Sequence, residues 1–314
     1  MGKFILKRIL VLIPVLLGVS FLVFGILALM PADVASVQLG MSATPEAIEI
    51  WNEEHGMNDP FLVRYFNYMA GLIQGDFGLS WSSNTSVAVE IGQRIPTTLI
   101  LTSGTLVVII MIGIPVGIVS AVKQYSIFDG AAIILSMLLT SVPAFWLGLM
   151  LILLFALSLS WLPAMGGGSF SGYILPWITL SAAMAAQLIR MTRSTMLEVI
   201  RADYVQTAKA KGARPVRIIF KHELRNALLP MITVIGIILG TTLGGAIVTE
   251  TVFSLAGVGT YLLNGIKNYD MPVVMISILF IASVIGIINL IIDVLYMYVD
   301  PRLRSQFVKG YSAR

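Results

Sequence analysis

The sequence predicts an all-α polytopic membrane protein with six transmembrane helices. Three observations carry that prediction. Of 314 residues, 57% are hydrophobic and 11% are charged, against roughly 25% charged in a soluble domain; the mean hydropathy is +0.92. Six stretches (9–30, 98–122, 131–160, 174–192, 228–250 and 273–298) are apolar over the length, about 20 residues, that a helix needs to cross a hydrocarbon core of about 30 Å. Lys and Arg crowd the segments at alternate ends of these stretches.

The first apolar run is about 22 residues long, beyond the usual 7–15 of a secretory signal, and reads as a retained anchor. Residues 31–97 follow as a long loop with acidic side chains at Asp33, Glu46, Glu49, Glu53, Glu54, Asp59, Asp76 and Glu90. Within it "TPEAIEIWNEEHG" has Thr44 as a helix N-cap, Pro45 at the first helical position and Gly56 as a stop. So long a structureless loop would be unusual, so a small folded cap is expected. The second and third spans come next. "WLPAMGGGSFSGY" then reads as a mobile Gly/Ser-rich turn before the fourth span. Pro14, Pro115, Pro143 and Pro176 fall inside spans, where prolines are tolerated, and no special role is assigned to them. The organisation expected is a first span at 1–30, an external subdomain at 31–97, and a five-span core at 98–314 with a basic loop at 193–227 and a short tail.

Orientation follows from the cations. With the N-terminus inside, Lys3, Lys7, Arg8, Lys123, the basic residues from Arg190 to Arg225, and Arg302, Arg304, Lys309 and Arg314 are cytoplasmic, while Arg64, Arg94 and Lys267 lie outside. The reverse orientation would put nearly all positive charge outside, so N-in and C-in is expected. There is no cysteine, and the two histidines are His55 and His222. Disulfides and thiolate metal sites are thereby excluded, and no metal site is expected.

The stretch "DYVQTAKAKGARPVRIIFKHELRNALLP" at 203–230 interrupts the apolar text with a basic, helix-forming segment. Ser194 is a candidate N-cap for a helix running to Lys211, with Gly212 as a left-handed stop. Arg214-Pro215 restarts a helix, in which Val216, Ile219, Phe220 and Leu224 share one face and Arg217, Lys221 and Arg225 the other. A basic loop resting on anionic headgroups would account for the charge. The defined break, and the small residues Thr207, Ala208 and Ala210 beside it, suit insertion into a protein groove instead.

This segment resembles the EAA-type cytoplasmic loop of ABC importer permeases, in the dipeptide/oligopeptide/nickel branch. Gln206, Thr207 and Ala208 take the places of the family's Glu-Ala-Ala, and Gly212 that of its glycine. His222-x-Leu224 falls on Ile-x-Leu, and Arg225 replaces the proline, as in the branch's own "His-x-Leu-Arg-Asn-Ala" ending. "FILKRILVLIPVLLGVSFLVF", "DPFLVRYFNYMAGLIQGDFGLS", "RMTRSTMLEVIRADY" and "NLIIDVLYMYVDPRLR" resemble other parts of the same branch, so the likeness covers essentially the whole chain. "PADV" at 31–34 and "SLAGVG" at 254–259 depart from it, both in external turns. The long first external loop resembles that of the B-type subunit of the permease pair.

The resemblance implies a type I ABC importer permease fold whose loop is a coupling helix docking into a separate ATPase subunit. It assigns that role to the segment holding Tyr204, Gln206, Thr207, Ala208, Ala210, Gly212, His222 and Leu224. It also implies a second permease subunit, two cytoplasmic ATP-binding subunits carrying ATP and Mg, an extracytoplasmic solute-binding protein, and a multi-pass site in a bacterial or archaeal plasma membrane. The cargo class would be di- or oligopeptides, glutathione, nickel or metal chelates. No cofactor is expected on this chain and no nucleic acid among its partners. No Gly-x-x-x-x-Gly-Lys-[Ser/Thr] loop occurs, so ATP hydrolysis by that chemistry must be a partner's.

Two carboxylates remain. Asp293 shares a helical face with Asn289 and Tyr296 near the cytoplasmic end of the sixth span, where a structural hydrogen-bonding role is expected. Glu250, at the outer end of the fifth span, reads as a partly solvated carboxylate on the pathway or external face. Two other function classes fit less well. A self-powered secondary transporter would carry midplane ionisable groups and an inverted repeat. An intramembrane enzyme would need a catalytic constellation, yet His55 and His222 fall on opposite sides of the membrane.

Overall fold

A computed structural model of the chain describes residues 2–29, 34–40 and 42–299. Every element longer than an isolated bridge is helical among these residues. Five helices are long and apolar enough to cross a membrane, over Ile5–Ala28, Val87–Val122, Ser171–Ile200, Pro230–Val252 and Met271–Leu295. The stretch expected as the third span is a bent pair, which makes a sixth crossing if the pair is taken as one broken span: α6 (Ile127–Ser141) and α7 (Ala144–Leu151), which continues as a π-helical turn Ile152–Ser158, meet at an angle of 102°. The six apolar stretches are therefore present, and Pro143, given no special role from sequence, stands at the bend.

The chain divides into two compact units, residues 1–98 with 256–286, and residues 99–255 with 287–314. In the first unit, α1 (Gly2–Ala28) packs on α4 (Phe61–Ile73). Phe21 and Phe24 meet Phe61 and Tyr65 edge-on at 5.2–5.6 Å between ring centroids, and Ser20 Oγ lies 2.9 Å from the Tyr65 hydroxyl. The expected cap on the long loop is folded. After the short helix α2 (Val34–Leu39), α3 (Pro45–Glu54) starts as its sequence dictates: Thr44 Oγ1 accepts from Ala47 N at 3.3 Å, and Pro45 occupies the first turn. Gly56, at φ +62°, ends it. Trp51 stacks on His55 at 3.9 Å and meets Trp81 edge-on. A second apolar cluster joins Val87 and Ile91 of α5 (Val87–Val122), Val258 and Tyr261 of α12 (Val258–Lys267), and Val273 and Ile276 of α13 (Met271–Val299). The buried Asp270 carboxylate ties in the loop before α5, accepting from Ser80 Oγ at 2.6 Å and from Ser82 Oγ and N at 2.8 and 3.0 Å.

In the second unit, α8 (Ser171–Ile200) is the central element. α5 lies close against it through glycines: a Cβ at Gly104 would stand 2.2 Å from Trp177, at Gly113 2.8 Å from Leu188, and at Gly117 2.5 Å from Thr192. Small residues of this kind let membrane helices approach to backbone contact. Around Leu101, Tyr173, Leu180, Ala246 and Phe253 the apolar core of the unit forms. The Gly-rich segment before α8, expected to be a mobile turn, is tied to that core. Gly166 N donates to Phe253 O at 2.7 Å, and Leu162 packs against the cluster.

Candidate functional site: the basic segment

The basic segment is a helix, a left-handed stop and a second helical start, as its residues dictate. Its beginning differs from expectation. Ser194 does not cap a helix; it lies exposed within α8, which runs on to Ile200. The break comes at Arg201 and Ala202, and Ala202 (ψ 145°) precedes α9 (Asp203–Ala210) without a side-chain cap. Asp203 in the first turn of α9 and Lys209 in the last complement the helix dipole. Thr207 Oγ1 bonds back to Asp203 O at 2.9 Å.

The stop is a Schellman motif. Gly212 sits at φ +74°, Gly212 N donates to Lys209 O at 2.9 Å, and Ala213 N donates to Ala208 O at 3.2 Å. These bonds satisfy carbonyls that the helix end would leave bare. A Cβ on Gly212 would meet nothing within 4 Å, so glycine is required there by its backbone conformation, not by crowding. Arg214 is extended (ψ 139°), and Pro215 opens α10 (Pro215–Arg217).

The next turn, Ile218–Glu223, is π-helical and leads into α11 (Leu224–Val252). It rearranges the expected apolar face. Ile218 and Glu223, five residues apart, are buried, whereas Val216 and Phe220 are 67% and 61% exposed. Ile219 and Leu224 turn inward against Ala121, Met196, Ala227 and Met231. A 3.6-residue period cannot bury positions five apart on one face; the wider π turn does. Val216 and Phe220 consequently line an open groove of about 930 Å³, together with Ala208, Gly212, Ala213 and His222. Lys211, Arg214 and Arg217 add positive charge around it.

Of the residues singled out from sequence, Ala208, Gly212 and His222 come together at this groove. Gln206, Thr207 and Ala210 are exposed on α9. Leu224 belongs to the apolar cluster beneath. Tyr204 is 45% exposed; partial burial raises its pKa, an effect opposed by a hydrogen bond with Asn226. Burial pushes the Glu223 carboxyl up from its ordinary value, against the attraction of Lys209. Glu250 is a correction: its side chain is fully buried, not partly solvated, so it stands on no external surface of this chain. Asp293 is half-buried and partnered; the side chain of Tyr296 lies outside the described residues. Among the described residues no cluster of three His, Cys, Asp or Glu is placed to hold a metal ion.

Comparison with known proteins agrees with this geometry. The family described as "Binding-protein-dependent transport system inner membrane component" matches residues 113–305. Its companion, the N-terminal region of such a membrane component, matches residues 1–102. The chain is 40% identical to the dipeptide transport system permease protein DppB of Alkalihalophilus pseudofirmus, covering 97% of this chain and 100% of that one. It is 39% identical to the glutathione transport system permease protein GsiC of Escherichia coli K12, covering 97% and 99%. A solved inward-facing structure of the MetNI methionine ABC transporter shares the fold, with a TM-score of 0.57 at 21% identity over 67% of this chain and 96% of that one. Motifs, helical architecture and relatives agree: the chain belongs to the inner membrane components of binding-protein-dependent transport systems, the permeases of ABC importers.

Proposed function

We propose that this permease imports di- or oligopeptides or a related small solute, and that the segment 203–224 docks into a cytoplasmic ATP-binding subunit. The peptide assignment is supported by the relatives, a dipeptide and a glutathione permease, whose named cargoes are both short peptides. The N-in, C-in orientation rests on the distribution of Lys and Arg. A second permease subunit would complete the pathway, and an extracytoplasmic binding protein would deliver cargo to the folded cap on the outer loop. ATP and Mg belong to the partner subunits.

The docking assignment is carried by one observation: the Schellman stop at Gly212 places Ala208 beside the exposed Val216 and Phe220 in an open groove. Large apolar side chains exposed among arginines on a helix–turn–helix suit a protein partner better than bulk water. The test is Gly212→Val compared with Gly212→Asn. Valine at positive φ costs about 1–2 kcal/mol, whereas Asn tolerates that conformation. Gly212→Val should insert in the membrane but lose association with the ATP-binding subunits, or lose stimulation of their ATPase by loaded binding protein. Gly212→Asn should retain both. A segment that only rests on anionic lipid would leave transport and stimulation unchanged in Gly212→Val.

A further inference from the structure

The second unit holds a polar clamp that the docking of α9 leaves unexplained. Asp129, in the first turn of α6, is 2% exposed. Its two oxygens take four hydrogen bonds. Arg193 of α8 supplies a fork, Nε to Oδ1 at 2.6 Å and Nη2 to Oδ2 at 2.9 Å. Ser120 Oγ, near the end of α5, donates to Oδ1 at 2.5 Å, and Tyr125 N donates to Oδ2 at 2.9 Å. One turn earlier on α8, Arg190 Nη1 donates to Ser136 O at 3.0 Å and Thr140 Oγ1 at 2.9 Å, towards the other end of α6. Two arginines three residues apart on α8 thus grip α6 at its start and near its finish.

The position of this clamp gives it a consequence for motion. Arg193 lies seven residues before Ile200, about 10 Å of helix, and only Arg201 and Ala202 separate Ile200 from α9. At its far end α6 meets the 102° bend at Val142 and Pro143. Apolar helix contacts permit sliding of about 1–2 Å. A bidentate guanidinium–carboxylate fork has fixed geometry, and with every acceptor site of Asp129 occupied the pair has no alternative register to slide into.

We propose that Asp129, Arg193 and Arg190 are positioning residues that join α6 and α8 into one rigid arm. Displacement of the coupling segment is delivered through that arm to α6, the first half of the broken third span. The inference rests on the docking of α9 to an ATP-binding subunit, and its test separates the two. The chain contains no cysteine, so Ile134→Cys on α6 and Ser194→Cys on α8, both exposed, admit a pair of spin labels in the complete transporter. In the nucleotide-free and the ATP-trapped complex the mean distance between them should be unchanged. A change of more than about 3 Å, beyond ordinary helix sliding, would overturn the rigid arm. If the chain recruits no ATP-binding subunit, the docking assignment fails instead, and the arm has nothing to transmit.

Function supplies the second measurement. Asp129→Asn should leave assembled complex with near-normal ATPase activity, while ATP consumed per peptide imported rises by about five-fold or more. Arg193→Lys, which keeps the charge and loses the fork, should fall between it and the parent. A parent-like ratio in assembled Asp129→Asn complex would sink the proposal, as would transport and hydrolysis falling in strict proportion, since that is what lost stability alone gives. Should Asp129→Asn fail to assemble, the distance between labels at Ile134 and Ser194 in the otherwise natural chain still decides.

Discussion

The third and fourth spans each carry a proline inside an apolar run, and they respond in opposite ways. α8 passes through Pro176 and continues to Ile200; the third span stops at Ser141 and turns through 102° after Pro143. Position along the helix explains part of the difference. Pro176 lies five residues after the first residue of α8, so the carbonyl it displaces, that of Gly172, has almost no helix before it to kink. Pro143 follows a full helix, and Val142 takes the extended conformation that a following proline imposes (ψ 125°). Polar groups then cover the broken end. Ser136 O accepts from Arg190 and from Thr140 Oγ1, and Met137 O accepts from Ser141 Oγ at 3.0 Å. Beyond the bend, α7 is held by packing, with Gly148 set against Val252, Phe253 and Thr179. The contrast teaches that proline permits a break, while unsatisfied carbonyls and packing decide whether one persists.

The largest expected effect comes from forcing α5 and α8 apart. Gly117 has no room for a side chain, since a Cβ would stand 2.5 Å from Thr192 Cβ and 2.9 Å from the Ile189 carbonyl. A backbone carbonyl cannot swing aside, so Gly117→Leu should cost about 3 kcal/mol or more and abolish assembly or sharply lower the melting temperature in detergent. Gly240, with nothing within 4 Å of its Cβ position, is the control: Gly240→Ala should leave the chain's own stability unchanged or raise it by up to about 1 kcal/mol. Equal losses at the two sites would show that the close approach of α5 and α8 does not hold the unit together.

A smaller effect is expected at the broken end of α6. Arg190→Met keeps the apolar stem and removes the donor to Ser136 O and Thr140 Oγ1. Losing a charged hydrogen-bond donor of this kind costs about 1.5–3 kcal/mol, measured by thermal unfolding of the purified permease. Arg190→Lys should recover part of it, because a single ammonium can still reach one acceptor. An unchanged melting temperature in Arg190→Met would mean that the α6 end needs no cover from α8, and the contrast between the spans would then rest on proline position alone.

Much of this architecture was legible in the sequence because length and hydropathy are local properties. The six apolar stretches, the Thr44 cap, the Gly56 stop and the left-handed Gly212 all follow from residue chemistry at single positions or short windows. What escaped depends on partners distant in sequence. Ser194 has cap chemistry, but packing of Thr195 and Met196 against the core carries α8 past it. The π turn at Ile218–Glu223 hides from any search at a period of 3.6, and with it the outward placement of Val216 and Phe220. Glu250, taken from its span-end position to be partly solvated, is enclosed by the fold. At the bend, Thr140 and Ser141 just before Pro143 were a usable signal: hydroxyls able to bond back to carbonyls accompany a helix end.

Replacing Pro143 itself should have the smallest effect of the three, and it bears most directly on the cause of the bend. Pro143→Ala lifts the restriction on Val142 and restores an N–H, so local propensity alone would let α6 run into α7. Straightening would, however, pull Gly148 from its contacts with Thr179, Val252 and Phe253, and would carry Leu151 and Ile152 away from the apolar core they pack against. Removing large apolar side chains from a core costs about 1.5–3 kcal/mol each, more than the helix propensity of one alanine returns. The bend should therefore persist, with stability changed by no more than about 1 kcal/mol. Spin labels on the exposed Leu135→Cys and Leu149→Cys test this in the otherwise cysteine-free chain. A continuous helix would set their Cα atoms about 21 Å apart, from fourteen residues at 1.5 Å each, and a bent one brings them closer. An unaltered, shorter distance in Pro143→Ala would establish packing as the force that holds the third span bent, whereas lengthening to the helical value would return the cause to proline.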